Sequence, residues 1–306
     1  VYLPFKRAVD PAAPGALRRI LRDHGVDVVH SHEFTMAVYG AAAVGTSMPH
    51  VATMHGNQTM ANAWRRRVAL RWAFRRCAGV VAVSVATRLD LEGRVGVRPG
   101  VVHTIPNGVP RRPGDASGPI EEFGISADEV VILAVGNLVE RKGHIILLRA
   151  LAQLEKEGLQ VPWRVIIAGR GREREALETF ARDAEFSDRV HLPGHRDDIP
   201  DLQTASQIVC MPSLWEGLPL AVLEGMHAGN CVVASRTSGI PEAIDHEEHG
   251  LLVEPGDVGA LAGALRRVLE DAGLRERLGN AAERRADRDF SISGMANRYL
   301  ELYGRN

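Results

Sequence analysis

The residues best suited to chemistry lie in the run 212–229, PSLWEGLPLAVLEGMHAG. A short apolar strand, QIVCM, leads into a turn and then into a helix that starts near Pro219. Proline is at ease in a first helical turn, where its missing N–H would have no intrahelical partner. Around Glu216, Gly217 and Leu218 the backbone N–H groups form a donor cluster at a positive helix end, able to hold a phosphate or a sugar hydroxyl. Glu224 follows Glu216 by eight residues. An ionised carboxylate only accepts hydrogen bonds and a vicinal diol offers two donors, so this pair suits the hydroxyls of a ribose and a hexose. The plainer alternative makes Glu216 a helix cap and Glu224 a solvated helix residue.

A second stretch, 135–144 (VGNLVERKGH), follows an apolar strand and opens a helix. Basic residues are 34 Arg against 3 Lys, so a lysine at 142 invites explanation. With Arg141 beside it and Gly143 after it, Lys142 makes a cationic point where a strand end meets a helix N-terminus, which fits a diphosphate. A third stretch, RVIIAGRG (164–171), ends a strand in Gly-x-Gly at Gly169, where a nucleotide can lie on backbone or the chain can simply turn. Its neighbour VHLPGHRDD (190–198) carries Gly194, His195 and Arg196 in a polar loop. Further back, VVHSHEF places His30, His32 and Glu33, and VATMHGN places His55 and Asn57, at strand ends. Metal ligation by these histidines lacks nearby carboxylates or thiolates to complete a shell. Capping of backbone is the plain reading for His30.

These residues need a scaffold that presents strand ends. Apolar runs predict strands at 27–30, 50–54, 79–83, 101–105, 130–136, 164–168, 189–192, 207–211, 231–234 and 250–253. Helical periodicity appears at 14–24, 67–78, 86–95, 143–158, 172–183, 220–228, 259–271 and 292–304. Alternating strands and helices, with continuous Val/Ile runs, indicate an α/β chain of doubly wound parallel sheets buried on both faces. The Pro/Gly/Ser-rich stretch 109–124 reads as the linker between two domains, 1–113 and 114–290, with a last helix in 291–306 packing back toward the first. Two such domains would face a cleft at their strand ends. Only four strands precede the linker, so the first domain reads as truncated.

The 306 residues are 45% apolar and 25% charged, an ordinary globular composition that excludes collagen, coiled coil and intrinsic disorder. No apolar run approaches the roughly 18 residues of a membrane span. Three scattered cysteines argue against disulfides or zinc. Residues 1–113 carry a net charge of +10 and the remainder −11. A basic half suits an anionic substrate, a membrane surface or the acidic half itself. WRRRVALRWAFRRC (64–77) is basic and aromatic, suited to an anionic membrane surface. Its arginines do not segregate from Val68, Leu70, Trp72 and Phe74 on a helical wheel. No G-x-G-x-x-G follows the first strand, which excludes a dinucleotide-dependent dehydrogenase.

In order along the chain, IPNGVP, GNLVERKGH, IAGRGRE, HLPGHRDDIPDL, PSLWEGLPLAVLEGMHAG, CVVAS, SGIPEAI and HGLLVEPGD resemble the retaining glycosyltransferases of family 4, which have the GT-B fold. The resemblance covers nearly the whole chain and is most specific over 130–255. It implies transfer of a sugar from a UDP- or GDP-linked donor, with retention, no metal and no cofactor. It implies that Lys142 binds the diphosphate, aided by Gly136 and Arg141, and that Glu224 takes the ribose. Glu216 would meet the donor sugar, with the amides of Gly217, Leu218 and Leu220 on sugar and phosphates. Gly169 would underlie the nucleotide, and Gly194, His195 and Arg196 would meet its base. His55 would approach the donor sugar, making His55, Glu216 and Lys142 the catalytic set, with His32, Glu33 and Asn57 on the acceptor side.

The chain departs from the family at three places. Asn137 stands where many relatives carry a diphosphate-binding arginine, Pro219 replaces a glycine, and the opening strand with its Gly-Gly loop has no counterpart. The acceptor implied is a sugar, a polysaccharide or a lipid-linked molecule. The setting implied is cytoplasmic, with peripheral contact to the inner face of the plasma membrane and no nucleic acid. Two alternatives stay open: a sugar-nucleotide epimerase of GT-B fold, and a truncated fragment that binds nucleotide sugar without catalysis.

Overall fold

A computed structural model describes residues 10–45, 48–56 and 64–304. The chain divides into two compact units, Val1–Asn107 with Met295–Asn306, and Gly108–Gly294. The division falls before the 113/114 boundary expected from composition. The reason is local: Val109 N–H donates to Phe290 O (3.0 Å), and Asp115 N–H donates to Asp201 Oδ1 (2.8 Å). Part of the stretch read as linker is a helix, Ser117–Phe123.

In the first unit, four parallel strands lie in the order β1-β2-β3-β4: Val29–His32, His50–Met54, Gly79–Ala82 and Val102–Thr104. Helices α1 (Ala13–Asp23), α2 (Glu33–Val44), α3 (Trp64–Phe74) and α4 (Val85–Asp90) connect them, and Leu91–Val95 continues α4 as a π-turn. β1 starts two residues later than expected, because its register pairs Val29 with His50 and His32 with Thr53. His30 and His32 are therefore strand residues. α2 has no amphipathic period to announce it: Ala37, Tyr39, Gly40, Ala41, Ala43 and Val44 are all buried. Gly40 is required there, since a Cβ would lie 2.6 Å from both His50 Nε2 and Ser31 Oγ.

α3 explains why its arginines looked unsegregated. Leu70, Ala73 and Phe74 are buried, while Trp64, Val68 and Trp72, spaced by four, are 64%, 53% and 37% exposed. A helix with two apolar faces and arginines between them cancels its own periodicity.

The second unit holds six parallel strands, β5 (Val130–Val135), β6 (Trp163–Ala168), β7 (Val190–Gly194), β8 (Ile208–Met211), β9 (Cys231–Ser235) and β10 (Leu251–Val253). Their order is β10-β9-β8-β5-β6-β7. Strand order reverses between β5 and β8, the switch point where the loops after both strands diverge and leave room for a ligand. The helix at Ser117–Phe123 is α5. It is followed by α6 (His144–Lys156), α7 (Arg174–Asp183), α8 (Ile199–Thr204), α9 (Leu220–His227), α10 (Ile240–Ala243), α11 (Val258–Glu270) and α12 (Ala272–Asp289). α12 is polar along most of its length, so periodicity did not reveal it. Its start is fixed by Asp271, whose carboxylate accepts from Leu274 N–H (2.8 Å), a cap worth about 1 kcal/mol. The last helix, α13, is Ile292–Gly304. From it Met295, Tyr299, Leu302 and Tyr303 pack with Val51, Val81 and Ile105 of the first unit.

His50 is fully buried beneath α2. Its Nε2 meets Ser31 Oγ and its Nδ1 lies 3.4 Å from Cys77 Sγ. Burial lowers its pKa from the ordinary 6.5 to about 4. The unfolded chain therefore takes up this proton more readily than the folded one. The contribution is complete above pH about 6.5 and is lost as pH falls toward 4. We expect denaturation midpoints to drop across that window and His50→Asn to flatten the slope there; an unchanged slope refutes this source of acid lability.

Candidate functional site

The second unit assembles its charged groups at the switch point. β5 ends at Val135, and Gly136 N–H is tied to Ala168 O (2.9 Å). Gly169 lies so close to this turn that a Cβ would sit 1.9 Å from Gly136 O. The single turn of 3-10 helix Glu140–Lys142 follows, and Gly143 (φ 67°) then starts α6. Only glycine suits that position: the backbone is left-handed, and a Cβ would lie 2.0 Å from Pro212 O, in the loop after β8. Leu214 N–H donates to Arg141 O (2.8 Å), locking the two loops together.

Lys142 is 9% exposed and Glu216 8%. Lys142 Nζ lies 2.6 Å from Glu216 Oε1, which also accepts from Ser213 Oγ (2.9 Å). Arg141 reaches Glu216 Oε2 (3.2 Å) and stacks over the Trp215 ring at 4.9 Å. Two cations therefore share one carboxylate, leaving one positive charge in excess for an anion. Glu216 N–H donates to Ser238 Oγ (3.1 Å), and Gly239 N–H to Gly217 O (2.7 Å). Pro219 is the extended cap before α9 rather than a residue of its first turn, and Leu220 is its first residue.

The two glutamates of the motif have different surroundings. Glu224 lines a cavity of about 200 Å³ with Pro110, Arg112, Arg196, Gln203 and His227. Burial raises its pKa, against the pull of Arg112. Arg196 is not free to read a base: its guanidinium bonds Asp198 (2.8 and 2.6 Å) and Glu122 of α5 (2.7 Å twice). It fixes the loop after Gly194, where φ is 86°. His195 is exposed, 3.3 Å from Asp197 Oδ1.

His144, the first residue of α6, received no role from the sequence. It is buried beside the backbone of Gly136 and Asn137. Burial, then the charge of Lys142, lowers its pKa to about 4, so it is neutral at pH 7. Ser213, Ser238 and Arg112 were missed too: Ser213 and Ser238 lie inside the quoted motifs, but only the fold brings them to Glu216, and Arg112 carries no motif of its own.

In the first unit, β1 and β2 bring three histidines together. His32 Nδ1 lies 2.9 Å from His55 Nε2, and the rings stack at 5.2 Å. His30 packs at 4.3 Å from His32. It bonds Thr53 and Tyr303 side chains rather than capping backbone. Burial lowers the pKa of all three, to about 4 for His30. Glu33 has φ 68°, unusual outside glycine. Its Oε1 accepts from His55 N–H (3.1 Å), its Oε2 is buried without a partner, and burial raises its pKa. Asn57 lies outside the described residues. Among the described residues, Asp245, Glu248 and His249 lie close enough to share an ion. Arg285 bonds both Asp245 and, at 3.0 Å, His249 Nδ1, so a cation there already has its counterpart in a guanidinium.

Residues 120–285, more than half of the chain, match the family model for glycosyl transferases group 1. The chain belongs to this family. Residues 1–112 match the model for Glycosyltransferase Family 4. The chain is 31% identical over 301 residues to a D-inositol 3-phosphate glycosyltransferase of Acidothermus cellulolyticus, covering 90% of this chain and 67% of that protein. It is 28% identical over 305 residues to an Escherichia coli galactosyltransferase, UDP-Gal:alpha-D-GlcNAc-diphosphoundecaprenol alpha-1,3-galactosyltransferase, covering 94% and 78%. The chain spans 50% to 78% of the length of such curated relatives. Among solved structures, Anabaena HepE in complex with UDP superposes with a TM-score of 0.83 at 25% identity, over 96% of this chain and 82% of that one. The fold is GT-B, with two parallel-sheet Rossmann-like halves.

The tight loop junction makes a specific demand. Gly143→Ala should cost roughly 2–4 kcal/mol through left-handed strain and backbone collision. Chemical denaturation would measure it, and a loss below about 0.5 kcal/mol, the range of an unremarkable surface change, would show that the junction yields.

Proposed function

We propose that this chain transfers a sugar from a nucleoside-diphosphate donor to an acceptor hydroxyl, with retention at the anomeric carbon. The observation that carries this reading is the buried Lys142–Glu216 pair with Arg141 at the switch point. As the bond from the anomeric carbon to phosphate breaks, negative charge grows on the diphosphate. Lys142, held in place by packing, and Arg141, turning from Glu216, would meet it, and preorganised cations act most strongly where charge develops. The amides of Gly217, Leu218 and Leu220 would add donors, with Asn137 in place of a further cation. The departing phosphate oxygen takes the proton of the acceptor hydroxyl as the new glycosidic bond forms. No general base is then required. Glu224, beside its cavity, would accept from the ribose hydroxyls. Gly194 and His195 would lie toward the base, with Arg196 holding their loop. His55 would approach the donor sugar, and His32, Glu33 and Asn57 the acceptor. The UDP bound in Anabaena HepE supports a uridine donor.

On this reading Lys142→Ala should lower kcat by about 10²–10³-fold. Glu224→Gln should chiefly raise the donor KM, by about tenfold. Nucleotide release from a panel of UDP- and GDP-sugars is the assay, and wild-type rates in both variants would overturn the assignments.

The acceptor side supports a lipid-linked substrate at an anionic membrane surface. On α3 the exposed Trp64, Val68 and Trp72 are flanked by Arg65, Arg66, Arg75 and Arg76. Beside that helix a cavity of about 450 Å³ is lined by Arg71, Arg75 and Arg98 over Phe74, Val97 and Val101. Tryptophan with arginine suits the headgroup boundary. The E. coli relative is named for a diphosphoundecaprenol acceptor. No helix among the described residues is long and apolar enough to cross a membrane. The protein should float with vesicles containing phosphatidylglycerol and not with phosphatidylcholine alone, and Trp64→Ser with Trp72→Ser should abolish flotation. Equal flotation on both lipids would rule out the surface.

A further inference from the structure

The sequence assigns nothing to the tyrosines of the last helix. Tyr299 and Tyr303 stand one turn apart on α13 and reach the ends of β1 and β2. Tyr303 OH lies 2.6 Å from His30 Nδ1. His30 Nε2 lies 2.7 Å from Thr53 Oγ1, and Thr53 Oγ1 lies 3.0 Å from Tyr299 OH. Both nitrogens of His30 are thus held by hydroxyls. The Tyr299 ring lies 5.0 Å from the imidazole, and the Tyr303 ring approaches it edge-on at 5.8 Å. The ring so fixed packs at 4.3 Å against His32, and His32 Nδ1 meets His55 Nε2 at 2.9 Å.

Proton accounting restricts the arrangement. A neutral His30 has one N–H, so one hydroxyl must donate to it and the other must accept. Two orders satisfy this. In one, Tyr303 donates to Nδ1 and Nε2–H donates to Thr53. In the other, Tyr299 donates to Thr53, Thr53 to Nε2, and Nδ1–H to Tyr303. In both, the histidine is oriented by groups that do not titrate near neutral pH, and burial raises the pKa of each phenol. Between His32 and His55 one imidazole must donate and the other accept, so the tautomers of the two rings are linked, and the bond forms only while His32 keeps its orientation. Glu33 fixes the backbone of His55 from the other side, through the 3.1 Å bond to its N–H.

The geometry points to Tyr299 and Tyr303 as positioning residues that hold the ring orientation of His32, and through its bond to His55 the hydrogen bonding of that imidazole, by fixing His30. This rests on the proposed role of His55 only for its effect on rate. The last helix thereby belongs to the first unit's site although it is some 250 residues away in sequence.

The test separates geometry from activity. In protein labelled with 15N-histidine, ring resonances of His32 and His55 report tautomer and titration midpoint, assigned through His32→Asn and His55→Asn. Tyr303→Phe keeps the ring and removes only the hydroxyl. It should shift the tautomer signature and titration of His32 and His55, and Tyr299→Phe should do so more weakly through Thr53. Unchanged His32 and His55 resonances in both variants overturn the proposal. In glycosyl transfer, Tyr303→Phe should lower kcat severalfold with little change in donor KM. That loss should disappear in a His55→Ala background, because residues acting through one another are not additive. Additive losses would overturn coupling through His55. Shifted resonances with unaltered turnover in His55→Ala would uphold the positioning network and refute the catalytic role of His55.

Discussion

A lysine and a glutamate, both less than a tenth exposed, meet at 2.6 Å where the strand order of the second unit reverses. Taking either charge out of water alone costs several kcal/mol. The pair is tolerable only because each member compensates the other and because Ser213 and Arg141 satisfy the remaining acceptor sites of the carboxylate. The surrounding backbone is shaped by this demand. Gly143 lets the chain pass within contact of Pro212, and Gly169 lets it pass Gly136, so the loops after β5, β6 and β8 close on one point. A side chain at either glycine would push apart loops that must stay together for the charges to remain paired.

The first unit solves the opposite problem. Its polar residues at the strand ends are three imidazoles and the carboxylate of Glu33; burial lowers the pKa of each imidazole and raises that of Glu33, disfavouring charge on all four. A neutral imidazole both donates and accepts, so a cluster of them can be joined by hydrogen bonds without a counter-ion. Positive charge in that unit is carried instead by arginines on α3, outside the core. One site holds charges and compensates them, while the other avoids charge.

Much of this architecture was legible in the sequence, and what was missed was missed for physical reasons. Among the described residues the central strands β2, β3, β5, β6, β8 and β9 were recognisable because strands buried on both faces are continuous apolar runs. α2 was not, because a helix buried nearly all round has no polar stripe, and neither was α12, which is polar nearly all round. α3 carries two apolar faces and so conceals both. The Lys142–Glu216 partnership was readable as two separate motifs, each at a strand end. Their direct contact was not, since it depends on the β5–β8 adjacency. Residues 109–124 looked like a linker because Pro, Gly and Ser dominate. Yet Glu122 lies within them on a short helix and clamps Arg196. The tyrosines of α13 gave no signal: the last helix was expected to pack toward the first domain, but nothing in it showed which of its side chains would meet β1 and β2.

The use of lysine at 142 follows from the same constraint. Elsewhere this chain uses arginine for nearly every cation, with 34 Arg against 3 Lys. At 142 the stem lies along Gly136, close enough that a Cβ there would sit 3.1 Å from Lys142 Cε. A slender chain ending in one compact ammonium fits this passage and leaves Glu216 room for Ser213. A planar guanidinium would need width that the Gly136 turn does not leave. Arg141, by contrast, stands at the mouth, where a flat ion can stack on Trp215 and still reach the second carboxylate oxygen. The two cations are therefore not duplicates. The buried one is a point charge fixed by packing, and the outer one is a planar group free to turn toward an arriving anion.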